Sequence, residues 1–235
     1  MGMTLALAQR AVRRSARSLA RPWRPLAANP TEAERRMARW AGVRRRQAMA
    51  DPAACLNRLL GPQRHVTAAE VQGLFDEVAS CDALRETVDR HKDVIGKDFQ
   101  AKLSGVVRAA VLFNYVATRI VRPEVVVETG CATGWTSALF LLALHRNEAG
   151  HLYSIDLPAV AGERSMDWTL PDGLEPGFLA PKELRHRWTL TIGDVRSELM
   201  PLLANLRQID MFYHDSDHTY QHMMWEYAAA WPHLS

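Results

Sequence analysis

Nowhere among the 235 residues is there an apolar stretch near the roughly twenty residues that a membrane-crossing helix requires. Cysteine is scarce: Cys55, Cys81 and Cys131 are odd in number, widely spaced and free of any Cys-x-x-Cys pair. That argues against a disulfide framework and for a reducing compartment, with a cytoplasmic location as the expectation. Acids are missing from the first thirty positions, which carry Arg10, Arg13, Arg14, Arg17, Arg21 and Arg24. These arginines interrupt any apolar core, which argues against a secretory signal. Ala6 stands where Ser or Thr is expected, which argues against myristoylation at Gly2. No pair of segments forms a sequence repeat.

The net charge of +3 hides an asymmetry. Twelve arginines and two glutamates give residues 1–50 a charge of +10, while the other 185 residues, 17 basic against 24 acidic, carry −7. The basicity therefore belongs to a tail, residues 1–30, and the acidic remainder makes nucleic acid an unexpected partner. A flexible tail, an organelle transit peptide and an anchor on an anionic surface all fit the tail's composition.

Residues 31–120 read as a helical lead. Thr67-Ala-Ala-Glu70 is a capping box ahead of Val71, Leu74, Phe75 and Val78 at helical spacing. Asp82–Lys92 reads as a second helix, and Phe99–Val121 as a third that ends at Arg122-Pro123. Lys102 and Ser104 are its weak candidates for site contacts.

From residue 121 the pattern changes. Three valines, Val125 to Val127, predict a strand buried on both faces, with Glu128 at its end. Gly130 and Gly134 flank a tight turn, and Trp135–His145 is a helix pattern. Strand, glycine turn and helix open a doubly wound α/β domain. The spacing is not the Gly-x-Gly-x-x-Gly that cradles a pyrophosphate, and Glu128 would repel a phosphate while suiting a positively charged ligand. Glu128-x-Gly130-x-Ala132-x-Gly134 resembles the first motif of class I S-adenosylmethionine-dependent methyltransferases. Glu128, Gly130, Ala132 and Gly134 are then expected to hold that cofactor.

Gly150–Asp156 predicts a second strand. Asp156 lies 26 residues past Gly130, near the spacing at which an acid meets a ribose diol, although a strand-end acid also serves as a turn residue or cap. Residues 157–187 hold four prolines and three glycines yet include Trp168, Leu170, Leu174 and Phe178, which suggests an ordered lid near the substrate. Trp188–Ile192 reads as a third strand, and the resemblance places Asp194, with Val195, at the adenine. Ser197–Leu206 is the next helix. Ile209 opens a fourth strand that runs into Asp215-Ser-Asp217-His218-Thr-Tyr220, and Thr219–Trp231 closes as a helix with Glu226 exposed. Met223, Met224, Trp225, Tyr227 and Trp231 read as its core-facing residues.

The expected fold is therefore a Rossmann-like parallel sheet over residues 121–235, preceded by the helical lead. A seven-stranded sheet would have three more strands, so the sequence reads as truncated after the fourth strand and its helix.

Methyl transfer from a sulfonium needs alignment and exclusion of water, and a hydroxyl acceptor must also lose a proton to a base or a metal. Only the stretch containing His214, Asp215, Asp217, His218 and His222 is dense in such groups. Asp215-Ser-Asp217-His218-Thr-Tyr220 resembles the Asp-Gly-Asp-His-Ser-Tyr loop of a bacterial family related to small-molecule O-methyltransferases. By that resemblance Asp215 is a candidate ligand for a divalent metal such as magnesium, and His218 stands in the position of the base. Tyr220 is offset from the catechol-type pattern. His222 reads as a solvated or core-edge residue, and Asp217 either orients His218 or caps the helix at Thr219.

The resulting expectation is a methyltransferase acting on a small hydroxyl-bearing metabolite or sugar, compatible with a homo-oligomer. Its rivals are a metal-dependent hydroxylase or hydrolase on the same fold, and a non-catalytic binding protein with a basic tail.

Overall fold

The computed structural model describes residues 51–61, 64–94, 111–158, 170 and 173–235. The basic tail, Lys102, Ser104 and most of the expected third helix lie outside the described residues.

Helix α1 (Pro52–Leu60) starts on Asp51, whose carboxylate accepts the Ala54 N–H at 2.9 Å. In α2 (Ala68–Ala79) the capping box is reciprocal: Thr67 Oγ1 accepts from Glu70 N at 3.2 Å, and Glu70 Oε2 accepts from Thr67 N at 2.7 Å. Helix α3 covers 82–94. The described part of α4 is a π-helical turn, Val111–Val116, continued by Ala117–Val121. Arg119 of α4 ties this lead to the α/β layer. Its Nε donates to Glu77 Oε2 on α2 at 3.2 Å and its Nη1 to Asn147 Oδ1 at 2.5 Å. The buried Tyr115 hydroxyl also donates to Glu77.

The sheet is parallel, with β1 (Val125–Thr129), β2 (His151–Asp156), β3 (Trp188–Ile192) and β4 (Met211–His214) in the order β3-β2-β1-β4. Helix α5 (Trp135–Asn147) crosses from β1 to β2, α6 (Val195–Leu206) follows β3, and α7 (Tyr220–Ala230) follows β4. Strand alternation sorts the side chains into two layers. Val126, Leu152, Met211 and Tyr213 pack with α4 and α5, while Val127, Ile155 and Phe212 pack with α6 and α7. The run Ala138–Leu144 on α5 is buried on every side, as expected for a helix between a sheet and a second helical layer.

The expected strand and helix positions agree with these elements to within two residues. The fourth strand begins at Met211 rather than Ile209, because the Asp210 carboxylate turns aside to accept the N–H groups of Glu124 and Val125. Ile209 instead forms a single parallel bridge with Leu234.

Two expectations for α7 are overturned. Glu226 is fully buried, not exposed, while Tyr227 and Trp231 are exposed, not core-facing. The helix turns His222, Glu226 and Ala230, spaced by four, toward the sheet. A hydrogen-bonded carboxylate takes the place that hydrophobic patterning assigned to an aromatic ring.

Candidate active site

β1 and β4 are neighbours joined only through β2 and β3, so the sheet's chain order reverses between β1 and its two partners. A crevice outside the carboxyl ends of the strands at such a point is where doubly wound sheets bind ligands. Glu128, Asp156, Asp194 and Asp215 all stand at strand ends along this edge.

The turn after β1 is tightly fixed. Gly130 has φ +78° and Gly134 has φ +82°, in the left-handed region. A Cβ on Gly130 would lie 2.4 Å from the Asp215 carbonyl oxygen, and one on Gly134 would lie 2.5 Å from Gly177 Cα. Glycine is needed at both positions for close backbone approach as well as for φ. Gly130 thereby seats the turn against the loop after β4. The described part of the expected lid seats against the other side, with Gly177 N donating to Ala132 O and Leu179 N to Thr133 O, both at 2.8 Å. The lid's residues 159–169, 171 and 172 lie outside the described residues.

Glu128 is fully buried beneath this turn. Its Oε2 accepts from Ser137 Oγ and Ser154 Oγ, each at 2.6 Å, and its Oε1 from Thr136 Oγ1 at 3.1 Å. Burial pushes its carboxyl up to about 7, against the pull of the three hydroxyls, and the nearby Asp215 adds to the rise. From that position it can act on a ligand through its field, whereas sequence reasoning placed it in the binding set without this inward turn.

Asp156 closes the turn from β2. Its Oδ2 accepts from Ala132 N at 2.5 Å and Cys131 N at 3.0 Å, while Oδ1 accepts from Leu157 N at 2.8 Å. The capping alternative is realised, and a carboxylate's four acceptor positions leave room on Oδ1 for a ligand hydroxyl. Cys131, buried beside Asp156, has its thiol pushed up by burial and by Glu128 and Asp156. Asp194 is exposed and is the N-cap of α6, with Oδ1 accepting from Arg196 N at 2.8 Å; Val195 beside it is buried.

In the loop after β4, His218 Nε2 lies 3.2 Å from Asp215 Oδ1, and both side chains are open to solvent. Partial desolvation raises the Asp215 carboxyl, His218 and His214 pull it down, and Asp156 adds to the rise. Asp217 does not orient His218. It caps the chain, its Oδ1 accepting from Thr219 N at 2.9 Å. Among the described residues no three His, Cys, Asp or Glu side chains converge as a metal site, so Asp215 is without companions for a divalent ion.

Sequence reasoning missed the role of Glu226 and of its partners. Its Oε2 accepts from Thr129 Oγ1 at 2.5 Å and His214 Nδ1 at 2.7 Å, and its Oε1 from Ser216 Oγ at 2.5 Å and His222 Nε2 at 2.7 Å. His222 is buried rather than solvated. Burial would raise the Glu226 carboxyl, but hydrogen bonds from His214, Ser216 and Thr129 outweigh it and hold the group low. The i, i+4 pair His222–Glu226 was the available signal.

Residues 127–235 match the family model described as "Methyltransferase domain". That segment, just under half of the chain, is similar to a methyltransferase domain. No curated protein sequence matches the chain. Among solved structures, one match is the O-methyltransferase TomG from Streptomyces achromogenes, involved in tomaymycin synthesis, in complex with S-adenosylmethionine. It is 19% identical over 63% of this chain and 60% of its own, with a TM-score of 0.41. The S-adenosylhomocysteine-bound methyltransferase PaMTH1 of Podospora anserina is 14% identical over 74% of this chain and 69% of its own, again at 0.41. The chain thus spans less than two thirds of the first of these, and neither lends it a residue role. No helix among the described residues is long and apolar enough to cross a membrane.

Proposed function

We propose that this protein is an S-adenosylmethionine-dependent methyltransferase that acts on a hydroxyl oxygen of a small molecule. One observation carries the reading: the glycine turn at the reversal point is ringed by three carboxylates within one another's field. Glu128, Asp156 and Asp215 each feel at least one of the others, and among the described residues none of the three accepts a hydrogen bond from Lys or Arg. A site of that charge repels phosphates and attracts a cation carrying hydroxyls.

When bound, S-adenosylmethionine supplies a methyl group activated by positively charged sulfur. The turn Gly130–Gly134, including Ala132, offers backbone to the amino-acid end, with the Glu128 charge below it. Asp156 holds the ribose through the free side of Oδ1, and Asp194 with Val195 borders the adenine. At the acceptor, His218 takes the hydroxyl proton on Nδ1 as the oxygen becomes a methyl ether, while its Nε2 stays on Asp215, which balances the imidazolium that results.

Calorimetric titration of the full chain with S-adenosylhomocysteine tests this. Micromolar binding is expected, at least tenfold weaker in Asp156→Ala, which loses both the ribose contact and the cap on the turn (about 1.4 kcal/mol per decade). Folded protein that binds no S-adenosylhomocysteine overturns the proposal.

A further inference from the structure

The loop that carries Asp215 and His218 is open to solvent, yet both neighbours of Asp215 are tied to one buried carboxylate. His214 on one side and Ser216 on the other bond to opposite oxygens of Glu226, which α7 delivers from beneath the sheet. Thr129, the last residue of β1, bonds to the same carboxylate. β1's end, β4's end, the loop and the helix therefore meet at a single group.

We propose that Glu226 is the positioning residue of the acceptor site, setting the direction of Asp215 and, through His214, of His218. The inference rests on the reading of Asp215 and His218 as the acceptor pair. An ionised carboxylate only accepts, so all four partners must donate, and this fixes the tautomers: His214 carries its proton on Nδ1 and His222 on Nε2. Each oxygen takes two donors, so its capacity is filled. His214 is left with an Nε2 that is buried and has no hydrogen-bond partner among the described residues, and its ring centroid lies 5.5 Å from that of His218. The edge of one imidazole meets the face of the other, so a turn of His214 displaces His218.

The geometry makes Glu226→Gln informative. Whichever way the amide turns, its NH2 faces either the Thr129–His214 pair or the Ser216–His222 pair. The hydroxyl of that pair can rotate to accept, but the imidazole can accept only by giving up the proton on the nitrogen that faces the amide. In every case one histidine must switch tautomer or release the group, and the fixed pattern of donors around it is broken. Site groups need support of this kind to stay in a productive geometry.

The test is proton–nitrogen NMR of the imidazoles in the full chain, beside calorimetry with S-adenosylhomocysteine. The parent is expected to show slowly exchanging protons on His214 Nδ1 and His222 Nε2, and ring-to-ring contact between His214 and His218. Glu226→Gln is expected to bind S-adenosylhomocysteine with unchanged affinity while losing one imidazole proton and the His214–His218 contact, and Glu226→Asp to restore part of both. Should Glu226→Gln fail to fold, Ser216→Ala cuts a single tie in the half-buried loop and should loosen the same ring contact. A folded Glu226→Gln or Ser216→Ala variant with that contact intact overturns the proposal. Parent protein that folds but binds no S-adenosylhomocysteine removes the acceptor-site reading, and this inference with it.

Discussion

Replacing Glu128 by Gln should change how stability depends on pH. Below about pH 4.5 the carboxyl is protonated in the folded and the unfolded chain alike, and it contributes no pH dependence. As pH rises, the unfolded chain releases its proton near 4.5 while the folded chain keeps it until about 7, because the group has no access to water. Folding is therefore progressively penalised across that window, and the penalty levels off above it. A displacement from 4.5 to about 7 corresponds to about 3 kcal/mol.

Glutamine fits the same place without ionising. Its oxygen can take the Oε2 position and accept from Ser137 and Ser154, while its NH2 faces Thr136, whose hydroxyl can rotate to accept. The variant should match or fall slightly below the parent near pH 5 and overtake it by pH 8. At about 2–4 °C per kcal/mol for a chain of this size, the difference in Tm should swing by about 6–12 °C. Thermal unfolding of parent and variant at matched pH from 5 to 8.5 measures it, and titrating groups beyond the field of Glu128 cancel in the difference. Parallel Tm curves would refute the assignment of a desolvated Glu128 whose carboxyl is raised to about 7.

Two further outcomes follow from backbone geometry and capping. Gly134→Ala should destabilise the protein by several kcal/mol and abolish S-adenosylhomocysteine binding, since the new Cβ meets Gly177 at 2.5 Å and φ is +82°; a folded variant with parental affinity would contradict the close-approach argument. Thr67→Ala removes half of the capping box on α2 and should cost about 1 kcal/mol, read as a drop in urea midpoint with unchanged slope and no loss of S-adenosylhomocysteine affinity.

Much of the architecture was legible because it is written in short range. Val125–Val127 state a two-sided strand, Gly130 and Gly134 punctuate the turn, and Thr67 with Glu70 announce a helix start. The acids at strand ends were also visible as positions. Their orientations were not, because they depend on partners far along the chain. Glu128 is satisfied by Ser154, and Asp156 bends back to Cys131 and Ala132 rather than standing free at the rim. Glu226 was missed for a further reason. Hydrophobic periodicity assigns the inner face of a helix to its aromatic residues, and α7 gives that face to His222, Glu226 and Ala230. Donors from three other segments, Thr129 lying 97 residues earlier, His214 at the end of β4 and Ser216 in the loop after it, together with His222, make a buried carboxylate tolerable there.

β1 separates two buried acids that stand almost back to back. Glu128 and Thr129 are consecutive, yet strand alternation sends Glu128 to the hydroxyls on the α5 side and Thr129 to Glu226 on the α7 side. Each carboxylate is hydrogen-bonded within its own layer. Among the described residues the two exchange no hydrogen bond across β1, although the loop after β4 still packs its Asp215 backbone against Gly130. The four described strands thus hold two polar chambers that share β1 as one wall.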